Sequence, residues 1–296
     1  MRKLALAFSA IAAFGGSALA ADIAPRTYVK AAAPAQVASW TGFYAGFNAG
    51  GTFGDGSFAT TGTPSSFNPA GVNLGAPATA NALAVALTSN ASRSGGGFIG
   101  GGQFGYNFQL ASAYVLGFEA DIQALGGASG KSSVVTTSSF APFGFPANSY
   151  SSTASFSQRL DYLGTVRGRV GYLATPSLLA YATGGLAYGG ANVSSAFSIQ
   201  ETFPGWTTTV VPPIFGGASA SKVAVGWTVG GGLEWMFGRN WSAKLEYLYY
   251  DLGTVRAPIL LTQNVNINTP WASALAQTSS RFDGSIVRVG ANYHFN

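Results

Sequence analysis

His294 is the only histidine in the 296-residue chain, and cysteine is absent. One imidazole and no thiolate cannot supply the usual parts of a zinc site or a triad-type nucleophile. Nor can a disulfide framework form. Gly95-Gly-Gly-Phe-Ile-Gly100 satisfies G-x-G-x-x-G, and Glu119 follows it at about the twenty-residue spacing of a dinucleotide site. Such a site requires the motif to leave a strand and open a helix. Here Gly101 and Gly102 follow, and then Phe104, Tyr106 and Phe108 alternate with other residues, as glycine on a curved strand would. Glu119 and Asp161 are the nominal pair of carboxylates for acid–base work, but basic neighbours account for each. These residues predict no catalytic centre, no metal and no cofactor.

The charges are ordered differently, by parity. In segments that alternate with a period of two, one face carries Glu119, Asp121, Asp161, Glu234 and Glu246 together with Arg159, Arg167, Arg169, Lys244 and Arg288. Five acids thus meet five bases on one face. On the other face stand large apolar residues, such as Leu160, Val166 and Val170, or Trp241, Leu245 and Tyr247. If the apolar face meets lipid, the ten charges must turn inward, because an Arg or Lys facing lipid at mid-membrane costs about 2–4 kcal/mol. Inside a narrow barrel they can pair and fill the lumen. His294 joins them by parity near one end. A balanced interior predicts a plugged barrel, whereas a selective pore wants an excess of one sign.

Eight alternating segments position these residues: 40–50, 97–108, 114–125, 159–173, 178–192, 222–237, 241–251 and 285–295. Each has at least the 9–11 residues that a tilted membrane strand needs. The glycine- and alanine-rich fifth segment leaves its facing ambiguous. Short connections at 109–113, 174–177 and 238–240 all fall at one end, while connections of 25 to 45 residues, rich in Ser, Thr, Asn, Ala and Gly, fall at the other. That asymmetry matches short periplasmic turns and long extracellular loops. The first long loop has room for a further hairpin, giving ten strands, or for a short helix near residues 78–87. Trp40, Tyr114, Tyr172, Trp235, Trp241 and Phe295 gather at the turn-side ends, where an interfacial aromatic girdle belongs.

Composition agrees. Only 8% of residues are charged and 14% are aromatic, yet no later apolar run is long enough for a membrane helix. The net charge of +5 and the absence of any basic run exclude a nucleic-acid partner. Arg2 and Lys3, an apolar stretch and Ala18-Leu-Ala20 predict a signal peptide over residues 1–20. Residues 21–39, with Pro25 and Pro34, read as a flexible periplasmic linker, and residues 40–296 as the barrel.

Five stretches carry a family resemblance: Trp40-Thr-Gly-Phe-Tyr-Ala-Gly46, Gly101-Gly-Gln-Phe-Gly-Tyr-Asn107, Gly164-Thr-Val-Arg-Gly-Arg-Val-Gly-Tyr172, Trp241-Ser-Ala-Lys-Leu-Glu-Tyr-Leu-Tyr-Tyr-Asp251 and Val287-Arg-Val-Gly-Ala-Asn-Tyr-His-Phe295. With them the chain resembles the small outer-membrane β-barrels of alphaproteobacteria, related in architecture to the OmpA membrane domain. The resemblance implies an all-β, transmembrane, antiparallel up-and-down barrel of eight strands with a surface or envelope role, and some members are described as haemin-binding or porin-like. It also implies that the terminal aromatic residues, Tyr293 and Phe295, are read by the barrel-assembly machinery, although Asn296 follows them here.

The expected function is therefore a structural, surface-exposed barrel in the outer membrane, touching outer-membrane lipid and lipopolysaccharide and presenting its loops to phage or host surfaces. A narrow porin is the alternative. Haemin or other ligand capture by the loops is a third reading, with Phe140, Phe143, Phe145, Trp206 and Trp271 as apolar contacts. The expected outer loops lack histidine, which argues against a ligated iron there.

Overall fold

The computed structural model describes residues 39–67, 76–111, 113–127, 129–140, 148–202, 213–266 and 269–295. The expected signal peptide and, apart from Ser39, the expected linker lie outside them. Nine strands and one helix follow in chain order: β1 (Gly42–Phe67), α1 (Ala76–Leu87), β2 (Ser89–Leu110), β3 (Tyr114–Gly126), β4 (Ser129–Phe140), β5 (Asn148–Thr175), β6 (Leu178–Thr202), β7 (Ile214–Met236), β8 (Trp241–Asn266) and β9 (Thr269–Phe295). Every pairing is antiparallel between neighbours, and β1 pairs with β9.

β3 and β4 both pair with β5, β3 against its second half and β4 against its first. They occupy one position in the wall, broken at Gly127, whose φ of 76° suits glycine. The wall therefore closes as an eight-stranded barrel. Its short turns join β2 to β3, β5 to β6 and β7 to β8, at the end where sequence placed them.

Alternation explains the half of the barrel nearest these turns. Phe47, Phe118, Val170, Leu186, Trp235, Leu245 and Val289 are exposed on the outside. The residues between them point inward and are buried, as in the strict alternation of β3. Eleven or twelve residues per strand, at ~3.3 Å each and tilted by about 45°, span roughly the 25 Å apolar band of an outer-membrane barrel.

Beyond that band the strands continue, and this corrects the expectation of long loops. β5 runs for 28 residues and β9 for 27. The ladder between β2 and β3 stops at Phe98 and Gly126, and that between β7 and β8 stops at Trp227 and Asp251. Above those points β2–β1–β9–β8 and β4–β5–β6–β7 rise as two four-stranded sheets. Between them lies an apolar core of Phe58, Phe156, Phe197, Ile259 and Leu261, shared with α1. The expected helix is thus present, at Ala76–Leu87, and the wall has eight positions rather than ten. Alanine-rich sequence favours helix, and its small side chains let α1 pack between the sheets with Ala80, Leu83, Ala84, Ala86 and Leu87 all buried.

Candidate functional site

The inner face of the barrel holds the groups that could bind, conduct or block. Its filling forms layers, counted from the turn end. Trp40 is the floor. Its side chain is wholly buried, its indole N–H donates to the Pro176 carbonyl at 3.0 Å, and its ring meets His294 edge-on. Val115, Leu179, Tyr181 and Met236 pack with it. Trp40 is therefore not part of the outer aromatic girdle, which Tyr114, Tyr172, Trp235, Trp241 and Phe295 do form on the exposed side. Strand alternation does not govern Trp40, because it precedes β1 and folds under the lumen.

Above the floor lies a layer of charge, placed by period two on β3, β5, β7, β8 and β9. Glu119 accepts from Lys244 at 2.8 and 2.9 Å, from the Tyr44 hydroxyl at 2.8 Å and from Arg167. Asp121 accepts from Arg167 and Arg288, each at 2.8 Å. Glu246 accepts from Arg167 at 3.0 Å, from Arg288 at 2.6 Å and from the Tyr181 hydroxyl at 3.0 Å. Glu234 accepts from Arg169 and Ser242 at 2.6 Å and from Asn292 at 2.8 Å. The Arg169 guanidinium also sits against the rings of Tyr181 and Tyr44, at 4.5 and 5.4 Å from their centroids. Gly105 makes room for one of these rings, since a Cβ there would collide with Tyr44.

Four carboxylates thus face Arg167, Arg169, Lys244 and Arg288, and the layer is neutral. All eight side chains are buried. Desolvating so many ions is costly, and only mutual pairing with further hydrogen bonds offsets it. Each of the four carboxylates accepts at least two such bonds, while Arg169 Nε and Arg288 Nη1 are buried without a hydrogen-bond partner among the described residues. His294 sits beneath the layer, its Nε2 3.0 Å from the Ser242 hydroxyl. A third layer is apolar, built by Ile99, Leu163, Leu248, Leu252, Phe282 and Ile286. The helix-bearing core closes the far end.

Two residues expected in the charge layer are elsewhere. Arg159 and Asp161 form an ion pair at 2.8 Å on the outside of the wall, with side chains 64% and 43% exposed. The cause is a bulge in β5, where the register against β6 shifts between Leu160 and Leu163. A bulge adds one residue and exchanges the faces. Leu160, expected outside, turns inward and is buried. Glu119 and Asp161 therefore stand on opposite sides of the wall. Tyr44 and Tyr181 were not expected in the network. Parity put Tyr44 opposite Phe43 and Phe47, which was the available signal, while the glycines around Tyr181 blurred its facing. Tyr293 and Phe295 are on the outer surface, packed edge-to-face. The side chains of Phe140, Phe143, Phe145, Trp206 and Trp271, the expected contacts for a captured ligand, lie outside the described residues.

A closed antiparallel barrel with a lipid-facing apolar belt and inward charges has a recognised family. Residues 6–295 match the outer membrane protein β-barrel domain. The chain belongs to this outer-membrane β-barrel family. It is an integral protein of the outer membrane. It is 33% identical to the 31 kDa outer-membrane immunogenic protein of Brucella melitensis, over the full length of both chains. A 22 kDa outer membrane protein of Rhizobium leguminosarum bv. viciae is 35% identical over 34% of this chain and 37% of its own. Among solved structures, OprG of Pseudomonas aeruginosa aligns with 88% of this chain and 99% of its own, at 10% identity and a TM-score of 0.37.

Proposed function

We propose that this member of the family is a non-catalytic, non-conducting envelope barrel whose role is carried by its extracellular extension. The neutral, fully buried charge layer carries the reading. A conducting pore needs a continuous wet path and an entry that ions can leave again. Here Trp40, the ion-paired layer, the apolar layer and α1 succeed one another along the axis. The partners in this reading are outer-membrane lipid, lipopolysaccharide included, around the apolar belt, and phage or host surfaces at the extension. The barrel-assembly machinery is a transient partner that reads Tyr293 and Phe295.

Planar-bilayer recording of purified, refolded protein tests the proposal. The expected record is flat at modest voltage. Stable, reproducible single-channel steps from the wild-type protein would overturn it in favour of a narrow porin.

A further inference from the structure

We propose that the outer face of β4–β5–β6–β7, just above the lipid-facing belt, binds the phosphorylated sugar headgroup of an outer-leaflet glycolipid. This rests on reading the strand extensions as extracellular. It adds a specific site to that reading.

The face is concave. A cavity of about 510 Å³ crosses all four strands, lined by Ser129, Lys131, Ser157, Arg159, Asn192 and Ser221 among others. Register explains why these side chains meet: Ser129 lies opposite Arg159, Lys131 opposite Ser157, Arg159 opposite Asn192, and Asn192 opposite Ser221. A second hollow of about 480 Å³ continues along the same strands and shares Lys131, Ser157 and Ser194.

The lining has a definite chemistry. Serine hydroxyls donate one hydrogen bond and accept two, which matches the mixed demands of sugar hydroxyls. Lys131 and Arg159 supply the cations that a phosphate needs. Lys131 is exposed and, among the described residues, makes no ion pair. Asp161 is the acidic group at the rim, and it is held by Arg159 and by the Asn192 amide at 2.7 Å. The outward bulge at Leu160 is what brings Arg159 to this face instead of the lumen.

Height selects the occupant. Toward the turns the outward positions pass a pair of half-buried tyrosines, Tyr162 on β5 and Tyr188 on β6, and then reach the exposed apolar side chains of Val166 and Leu186. On β7, Val223 and Val225 follow Ser221 directly. Tyrosine belongs at the membrane–water boundary. The lower rim of the groove therefore meets the layer directly outside the hydrocarbon. In that layer a lipid-borne sugar phosphate is already concentrated and oriented, which argues for a membrane glycolipid over a free saccharide.

The test uses the full mature chain refolded in phosphatidylcholine nanodiscs. The probe is fully deacylated lipopolysaccharide, a soluble phosphorylated saccharide, titrated calorimetrically. Saturable binding is expected, weakened roughly tenfold or more by Lys131→Glu, since a hydrogen bond to a charged group carries about 1.5–3 kcal/mol. Arg256→Gln, on the outer face of β8 and away from the groove, is expected to leave affinity unchanged. Phosphatase treatment of the probe is expected to abolish binding. Absence of saturable binding, binding indifferent to Lys131→Glu, or binding that survives dephosphorylation would each overturn the proposal. Vesicles containing phosphatidylglycerol that compete as well as the saccharide would also overturn it, by showing a general anionic surface. Lys131 is far from the lumen, so conductance reports on the closed-barrel reading independently.

Discussion

Glu119 and Arg167 stand directly opposite each other in the β3–β5 ladder, and their side chains join inside a barrel wall that excludes water from both. Glu119 also serves Lys244, Tyr44 and, at 3.5 Å, Arg288, so a single carboxylate ties four strands besides its own. Replacing it with glutamine leaves the shape nearly intact but removes the charge that Arg167 and Lys244 share. Breaking a buried ion pair on one side costs about 3–5 kcal/mol. Glu119→Gln is therefore expected to lower the urea midpoint of the folded barrel in lipid vesicles by a corresponding amount. A midpoint equal to that of the wild type would show that the layer is not tightly coupled.

Arg159 and Asp161 should behave in the opposite way. They lie on the outer surface, and an exposed ion pair contributes about 0–1 kcal/mol. Arg159→Gln or Asp161→Asn is expected to leave the urea midpoint within experimental scatter, while Arg167→Gln shifts it strongly. Equal losses at Arg159 and Arg167 would contradict the bulge at Leu160.

The same pair shows how much of the fold is legible in the sequence. Where lipid is the solvent, alternation is stark, and Trp241, Leu245 and Tyr247 against Lys244 and Glu246 leave one possible facing. Parity fails when a bulge inserts a residue, and nothing in Arg159-Leu-Asp-Tyr-Leu163 announces one. Above the membrane both solvent and core change. The outside meets water and the inside meets α1, so small residues serve on both faces. Thr278 and Ser280 are buried while Gln277 and Arg281 are exposed, a polar alternation that resembles a loop in composition. The strand extensions were therefore hidden, and Trp40 was misplaced because a tryptophan at a strand end ordinarily anchors in the interface.

Tyr150 connects the extension to pH. Its hydroxyl donates to the Glu201 carboxylate at 2.6 Å, and Thr79 of α1 hydrogen-bonds the same phenol. Burial first, and the neighbouring carboxylate next, push this phenol well above its ordinary range. A group raised on folding contributes fully below its unfolded value, near 10 for tyrosine, and progressively less as pH climbs toward its folded value. The expected result is that Tyr150→Phe loosens the extension at neutral pH, read as faster proteolysis between the sheets. The gap between variant and wild type should narrow as pH rises above about 10. A gap that is constant across that window would remove the phenol–carboxylate pair as its source.

Gly62 decides whether α1 can stay between the sheets. It lies on β1 beneath the last turn of the helix, and any Cβ there would collide with the carbonyl oxygen of Ala84. Its own amide donates to the Thr88 hydroxyl at 3.1 Å, and that hydroxyl donates back to Ala84 O at 3.0 Å, so helix end and strand are stitched at one point. Gly62→Val should suit the strand itself, since β-branched residues favour strands. Its cost must therefore fall on the packing of α1. The expected outcome is rapid amide exchange in residues 80–87, with the membrane-embedded half of the barrel still protected. Conductance should remain absent, because the charge layer and the Trp40 floor lie below and do not depend on the helix. If Gly62→Val instead produced channels, α1 would be the principal seal and the ion-paired layer would be permeable without it.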